Sequence, residues 1–295
     1  MRIRGSIHMI ELDAKVIGIK VNRRIVFFYF QNSQMNLFKR YLYIGNWIDF
    51  EYKENKIKKG CYLAHPVSFV YRIEALGKLD HIIYYDKINI NGSLNSFIDS
   101  LENTMFLDLE MTMPSYNFKG KGFRAEVIQA GLVIFDKDGN ELVRYSKYIK
   151  PKLTNKLSKR VLDFLSIDEE EFETTAITYD TFYNDFNNMI TKYNPAIIVY
   201  GKNDSIVLND SYEINSLPSL KNKTRFVNLL QLIKTYYELR NDPGLFKLYS
   251  VYSGNEDNQV HDAFDDCVVT YKVFEAFKND LRNNIKTKEI RENFD

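Results

Sequence analysis

The hydrophobic pattern divides the chain into a β-rich first part and a mixed second part. From residue 14 to about residue 90, short runs rich in β-branched and aromatic residues alternate with polar turns. The runs are K-V-I-G-I-K-V (15–21), R-I-V-F-F-Y-F (24–30), R-Y-L-Y-I (40–44), W-I-D-F-E-Y (47–52) and V-S-F-V-Y-R-I (67–73). Such a series predicts a small closed or half-closed β-barrel over residues 10–90.

Residues 91–93, N-G-S, interrupt this pattern, and apolar residues then recur at helical spacing through residue 101. A domain boundary is therefore expected near here. The second part predicts successive antiparallel strands at 104–112, 125–135 and 141–149. Further elements are helices near 182–193, 230–237 and after 261, and short strands at 196–200 and 225–229. The pattern predicts an α/β domain over residues 100–283, while the polar last dozen residues are expected to fray.

Charge separates the same two parts. Residues 1–100 hold fifteen Lys and Arg against nine Asp and Glu, whereas the remainder holds twenty-five against thirty. The strand count and size fit an OB-type barrel. With its basic turn at Arg23 and Arg24 followed by an aromatic strand, this part resembles a cold-shock domain. It is expected to bind nucleic acid, and a module that only packs on its neighbour or on a partner protein is the alternative.

Composition bounds the compartment. Cys61 and Cys267 have no ligand-like spacing and indicate no disulfide framework, which favours a reducing, cytoplasmic location. No apolar run reaches the length of a membrane span, and the N-terminus lacks the apolar core of a secretion signal. The first eight residues, M-R-I-R-G-S-I-H, are interpreted as a non-native remnant before Met9 and left out of the predicted barrel.

One stretch places acids inside an apolar strand. In T-M-F-L-D-L-E-M-T (104–112), side chains alternate between faces, so Asp108 and Glu110 project together and the leucines point the other way. Like charges on one face of an apolar segment repel and resist desolvation, and a hard divalent cation relieves both penalties. A half-exposed strand with solvated acids is the alternative.

Other acids follow at intervals along the chain. Asp204 follows a short apolar strand, and 261–266 reads H-D-A-F-D-D. The order D-x-E-x-T, then a lone Asp, then His with an Asp five residues on, resembles the DEDDh exonucleases of the DnaQ-like group. Within it, A-E-V-I-Q-A-G-L-V, the segment Y-I-K-P followed by L-S-K-R-V-L-D-F-L-S-I, and Y-G-K-N-D resemble the Eri and KapD branch, which trims RNA 3′ ends.

The resemblance implies a ribonuclease-H-like fold and specific roles for residues. Asp108, Glu110, Asp204 and Asp266 match the family's metal-binding acids, and His261 matches its general base. Periodicity alone does not choose Asp266 over Asp262 and Asp265, and the choice rests on the family spacing. Asp262 is expected to be a helix N-terminal residue. Thr112, with Met111 beside it, matches the position that contacts the terminal nucleotide.

These residue types suit phosphodiester hydrolysis. Two Mg²⁺ or Mn²⁺ ions held by carboxylates can stabilise the attacking and leaving oxygens, and a histidine can accept a proton from water. The loop Y-N-F-K-G-K-G-F-R (116–124) adds Lys119, Lys121 and Arg124, which could grip the phosphate backbone. A solvated flexible loop is the alternative there.

The expected function is a metal-dependent 3′–5′ exoribonuclease that releases nucleoside 5′-monophosphates from single-stranded ends, with no membrane partner. A 3′–5′ DNA exonuclease of the proofreading or repair type is a second interpretation, because contacts to the 2′-hydroxyl are not visible in sequence. A non-catalytic nucleic-acid-binding scaffold is a third, and the intact set of chemical residues argues against it. A homodimer is left open.

Overall fold

A computed structural model describes residues 1–295 except 77–80, 119, 121, 155, 240, 255–261 and 295. The chain forms two compact units, Met1–Leu94 and Asn95–Asp295. Within the described residues, no helix is long and apolar enough to cross a membrane.

The first unit is built mainly of β-strands. Its elements are β1 (Arg2–Glu11), β2 (Val16–Val21), β3 (Arg24–Tyr29), α1 (Asn32–Phe38), β4 (Trp47–Tyr52), β5 (Ile57–Lys59), β6 (Tyr62–Leu76) and β7 (His81–Asp86). Helix α2 (Lys87–Asp99) runs across the division between the units.

Five of these strands close into a barrel. They follow the order β3-β2-β1-β4-β6, and β6 returns to pair in parallel with β3 at Phe28↔His65. Alternate residues such as Ile19, Phe28 and Phe50 fill the interior. The predicted all-β, OB-like barrel is therefore confirmed.

The first strand of this barrel corrects the sequence prediction. Residues 2–11 form β1, which pairs with β4 from Arg2↔Glu51 onward and buries Ile7. The first eight residues are thus part of the barrel, which begins before the predicted residue 10. Cationic side chains in this segment masked an alternation that places Ile3 and Ile7 against the core.

One other local prediction also fails. Residues 40–44 are not a strand but coil after α1, because Met35, Phe38 and Leu42 continue one buried face beyond the end of the helix. The N-G-S at 91–93 lies inside α2, and the division between the two units follows at Leu94, near the predicted boundary. Gly92 lies in open space there, so its missing side chain costs no packing.

The second unit is a mixed α/β domain. Its strands are β8 (Asn103–Met111), β9 (Val127–Asp136), β10 (Glu141–Tyr148), β11 (Ala196–Val199) and β12 (Arg225–Asn228). Its helices are α3 (Lys159–Leu165), α4 (Glu169–Thr175), α5 (Tyr179–Tyr193), α6 (Asn203–Asn215), α7 (Leu229–Tyr237), α8 (Leu245–Ser253), α9 (Ala263–Asn283) and α10 (Thr287–Phe294).

These strands form one mixed sheet in the order β10-β9-β8-β11-β12. β8, β9 and β10 are antiparallel, and β11 runs parallel to both β8 and β12, as the predicted fold class requires. Helix α5 packs Phe182 and Phe186 against one face of the sheet. Helix α9 covers the other face, where Phe106 contacts Tyr271 and Phe274.

The C-terminal residues form a helix that the sequence prediction left out. Ile290 and Phe294 on α10 are buried, so this segment packs against the unit instead of fraying. Its apolar residues are too few and too widely spaced to stand out among the charged ones.

Candidate active site

The centre of the site is β8, whose two faces have different chemistry. Leu107 and Leu109 point into the apolar core, whereas Asp108 and Glu110 lie on the opposite face and keep partial exposure. That face is the one that α9 covers at the Phe106 end of the strand. The predicted alternation of β8 thus places both carboxylates beside α9.

Asp204 reaches the same edge of the sheet through topology. Because β11 is parallel to β8, both strands end at one edge, and Asp204 follows β11 in the first turn of α6. Its Oδ1 accepts a hydrogen bond from the Leu109 N–H at 3.1 Å. This bond holds the nearly buried carboxylate of Asp204 against Leu109, the residue between Asp108 and Glu110 on β8.

The structure separates the three acids near the start of α9. Asp262 is the N-cap, accepting the N–H groups of Phe264 and Asp265 at 2.9 and 3.1 Å. Asp265 is exposed, whereas Asp266 is only 6% exposed. Carboxylate oxygens of Asp108, Glu110 and Asp266 lie within 4.8 Å of one another.

This crowding of acids changes their protonation. Desolvation, followed by the charges of the neighbouring acids, raises the pKa of Asp108 well above its ordinary value. The same causes raise the pKa of Glu110 to about 8. Desolvation raises the pKa of Asp204 to about 6, although its hydrogen bond from Leu109 opposes the shift. These acids therefore bind protons more tightly than ordinary carboxylates when no cation compensates their charges.

A divalent cation fits this donor set. Hard cations such as Mg²⁺ and Mn²⁺ take oxygen ligands, and the oxygens here converge closely enough to share one ion. Within the described part of the chain, the carboxylates of Asp108, Glu110 and Asp266 form the group whose oxygen atoms lie close enough together to hold one metal ion. Asp204 is the further carboxylate beside it.

Gln129 is a site residue that sequence reasoning missed. It pairs with Glu110 across β8 and β9 and is 4% exposed. Its Nε2 donates to Asp262 Oδ2 at 2.6 Å, and its Oε1 accepts the Ala263 N–H at 3.4 Å. The signal in the sequence was a lone amide in the otherwise apolar strand V-I-Q-A-G-L-V, for which a buried partner is required.

Thr112 has a structural contact at the end of β8. Its Oγ1 accepts the Glu126 N–H at 2.9 Å, and its own N–H donates to the Glu126 carbonyl. The buried Glu126 carboxylate in turn accepts the N–H groups of Lys152 and Leu153. Met111 packs on the apolar core, so its side chain lies on the face away from the acids.

The other candidate substrate contacts are placed differently. Arg124 donates to Glu213 Oε2 at 2.9 Å and to the Asp210 carbonyl, so its guanidinium is hydrogen-bonded to two residues of α6. Lys119, Lys121 and His261 lie outside the described residues. The roles predicted for all of these residues stay predictions.

The family described as "Exonuclease" (RNase T) matches residues 105–274, more than half of the chain. The chain therefore belongs to this exonuclease family.

Individual relatives agree with the family. The chain is 29% identical over 177 residues to "Probable 3'-5' exonuclease KapD" of Bacillus subtilis, covering 60% of this chain and 84% of KapD. It is 25% identical over 194 residues to "3'-5' exonuclease crn-4" of Caenorhabditis elegans, covering 60% of this chain and 63% of that protein. The matched part is thus under two thirds of that second relative.

Solved structures show the same fold. The nuclease domain of 3'hExo, described as a DEDDh family member bound to rAMP, superposes with a TM-score of 0.52 at 15% identity, covering 62% of this chain and 94% of that one. Cell-death related nuclease 4 gives 0.51 at 20% identity, covering 62% and 64%. The predicted DEDDh family and ribonuclease-H-like fold are confirmed.

These findings establish the type of reaction. The protein is a 3′–5′ exonuclease, a hydrolase that acts on nucleic acids. Membership of the DEDDh family implies divalent metal ions, and the acidic cluster on β8 and α9 is where such ions fit.

Proposed function

We propose that the protein shortens single-stranded RNA from its 3′ end and releases nucleoside 5′-monophosphates, using two Mg²⁺ or Mn²⁺ ions. The observation that carries this proposal is the convergence of Asp108, Glu110 and Asp266 within 4.8 Å, with Asp204 fixed beside them. Asp204 and these three acids would hold the ions. When bound, the ions supply positive charge for the phosphate oxygens of the displacement.

The chain's own residues set up the remaining steps. His261 is assigned as the general base that accepts a proton from the attacking water. Gln129 holds Asp262, the next residue, against β9, and so restrains the start of α9. The Asp204–Leu109 hydrogen bond keeps one carboxylate in place as others change protonation.

The choice of RNA is supported by what two structural relatives are described as binding. The 3'hExo nuclease domain is described as bound to rAMP, and a further match with a TM-score of 0.52 is described as recognising a histone mRNA stem-loop. Both share only the fold with this chain, at 15% and 12% identity. They support a ribonucleotide substrate without fixing its sequence or pathway.

Matched oligonucleotides test the proposal. Single-stranded RNA and DNA of one sequence, labelled at the 5′ end, are incubated with Mg²⁺, Mn²⁺ or EDTA. We expect a ladder shortened from the 3′ end, formed faster on RNA and absent in EDTA. Faster DNA hydrolysis would favour the proofreading type, whereas hydrolysis that persists in EDTA would contradict the metal assignment.

The cytoplasmic location inferred from Cys61 and Cys267 stays a prediction.

A further inference from the structure

The outside of the barrel in the first unit carries an unusual group of side chains. On β2 and β3, Ile19 and Phe28 face the barrel core, so alternate residues point outward. Outward residues of the two strands, together with side chains from β5 and β6 that contact them, form what we call the aromatic face. Its members include Gly18, Lys20, Ile25, Phe27, Tyr29, Lys59 and Tyr62.

Phe27 lies on this face beside Gly18. The two residues are direct partners across β2 and β3. A Cβ on Gly18 would lie 2.7 Å from Ile25 Cγ2 and 3.1 Å from Met9 Cβ, so these two side chains fill the space above the glycine, and Phe27 Cε1 lies beside it at 3.6 Å. The ring also contacts Tyr62, with centroids 5.0 Å apart. Phe27 and Tyr62 both keep partial exposure in the whole chain.

Cations lie among these rings. Lys59 Nζ is 4.1 Å from the centroid of Tyr29, and Lys20 is exposed opposite Ile25. The hairpin turn has positive φ at Asn22 and Arg23, 47° and 68°, which gives a tight two-residue connection with an exposed basic end. Residues 1–94 hold fifteen Lys and Arg against eight Asp and Glu.

This combination favours one kind of partner. Aromatic rings stack on bases of any sequence, and lysines interact with the phosphates between them. Phe27 and Tyr29 are two residues apart on one strand, hence about 7 Å apart, which lets each contact a different base. The corresponding strands are the surface on which OB barrels bind oligonucleotides. A protein-contact surface would gain little from a basic excess of this kind.

We infer that the aromatic face binds single-stranded nucleic acid, with bases stacked on Phe27 and Tyr29 and phosphates contacted by Lys20 and Lys59. The inference rests on the proposed function in that the bound strand is the exonuclease's own substrate. It adds a second, non-catalytic attachment that residues of the active site do not provide. Substrates too short to span both would not use it.

Binding by the full-length protein in EDTA tests the face without turnover. The probes are fluorescent oligo(U) and oligo(dT) of about 20 nucleotides, longer than the site of one OB barrel. Anisotropy at several salt concentrations compares wild type with Lys20→Gln/Lys59→Gln, Phe27→Leu and Tyr29→Leu. Lys39→Gln is the matched control, since Lys39 is exposed but follows α1 instead of lying on the face.

The face predicts distinct effects for the two kinds of variant. Neutralising both lysines should lower the log–log salt slope by about 0.7 per lost phosphate contact. Each leucine variant, which keeps apolar packing but removes the π system, should weaken binding about 5- to 100-fold. Lys39→Gln should behave as wild type, and melting curves should show the exposed-lysine variants folded. The ratio between the oligo(U) and oligo(dT) affinities shows which backbone the face prefers.

Other outcomes would overturn the inference. Equal slopes and affinities in wild type and all face variants would remove nucleic acid from this surface. Loss of a dimer in light scattering, with binding unchanged, would instead make it a protein contact. Hydrolysis of a short oligonucleotide with Mg²⁺ is measured in parallel and should be unaffected by the face variants. A wild type that binds oligo(U) but hydrolyses nothing would refute the proposed function and leave the face intact.

Discussion

Asp108 and Gly131 lie directly opposite each other where β8 pairs with β9, and α9 crosses the sheet at Gly131. A Cβ on Gly131 would lie 2.2 Å from the carbonyl carbon of Ala263. The missing side chain therefore lets the first turn of α9 approach the sheet. Asp266, in that turn, reaches Asp108 as a result.

Gly131→Ala should separate these elements. A backbone contact of this kind cannot be relieved by a side-chain rotation, so we expect a loss of about 1–3 kcal/mol in the free energy of unfolding. Turnover should fall more than stability implies, because Asp266 moves away from Asp108. Gly92→Ala is the control, since nothing lies within 4 Å of a Cβ there and alanine favours a helix. Urea denaturation and steady-state rates measure both, and an active, equally stable Gly131→Ala would contradict the packing argument.

The stability of the metal-free protein should fall as pH rises. The folded-state pKa of Glu110 is about 8 against an ordinary value of 4.5, so between these values the folded state binds a proton that the unfolded state lacks. Raising the pH through this window removes that proton from the folded state and so lowers the free energy of unfolding. Asp108 and Asp204, whose pKa values are also raised, act in the same direction.

Urea denaturation in EDTA across that window measures the effect. Asp108→Asn should be more stable than wild type at the alkaline end and show a shallower pH dependence, because one repelling charge is gone. Saturating Mg²⁺ should restore wild-type stability and leave the variant nearly unchanged. Wild-type stability that rises with pH in EDTA would show that these acids are not crowded as described.

Gln129→Leu should lower the rate without removing the metal ligands. The substitution leaves Asp262 Oδ2 and the Ala263 N–H without their partner, so the start of α9 is less restrained. Misplacement of a catalytic group by about 1 Å can cost on the order of 100-fold. Asp262→Asn, which keeps an oxygen to cap α9, should have a smaller effect. Equal Mn²⁺ affinity with reduced kcat supports a positioning role, whereas lost Mn²⁺ binding would contradict it.

His261→Ala should separate proton transfer from metal binding. A lost general base costs roughly 100-fold or more in rate. Calorimetric titration with Mn²⁺ should show binding like that of wild type, whereas Asp266→Asn should lose affinity. A His261→Ala protein with wild-type kcat would remove this residue from the mechanism.

The sequence predicts the local parts of this site and not its long-range contacts. Strand alternation alone puts Asp108 and Glu110 on one face. Asp204 meets Leu109 across 95 positions, and Gln129 meets Asp262 across 133. The place of Asp204 among the β8 acids was anticipated only through the family resemblance, and its contact with Leu109 was not anticipated. The second contact was not anticipated either, since no local pattern reports which buried amide meets which carboxylate.

The barrel, too, could be predicted only in its local parts and not in its long-range pairing. Its strands were visible where β-branched and aromatic residues cluster between polar turns. β1 was overlooked because cationic residues and a glycine break its apolar alternation, although pairing with β4 buries Ile7. Closure through the parallel β3–β6 pairing depends on residues far apart in the chain and has no local signature.

If the clustered carboxylates hold the metal ions used for hydrolysis, Asp204→Asn should abolish turnover in a protein that still folds. Asparagine retains an oxygen for the Leu109 N–H, so the fold should persist while one anionic ligand is lost. The measurement is a time course on 5′-labelled single-stranded RNA with Mg²⁺, with circular dichroism as the check on folding. We expect wild type to yield a 3′-shortened ladder ending in mononucleotide release, and the folded variant to yield none. A folded Asp204→Asn protein that forms the ladder at a rate near wild type would contradict the account.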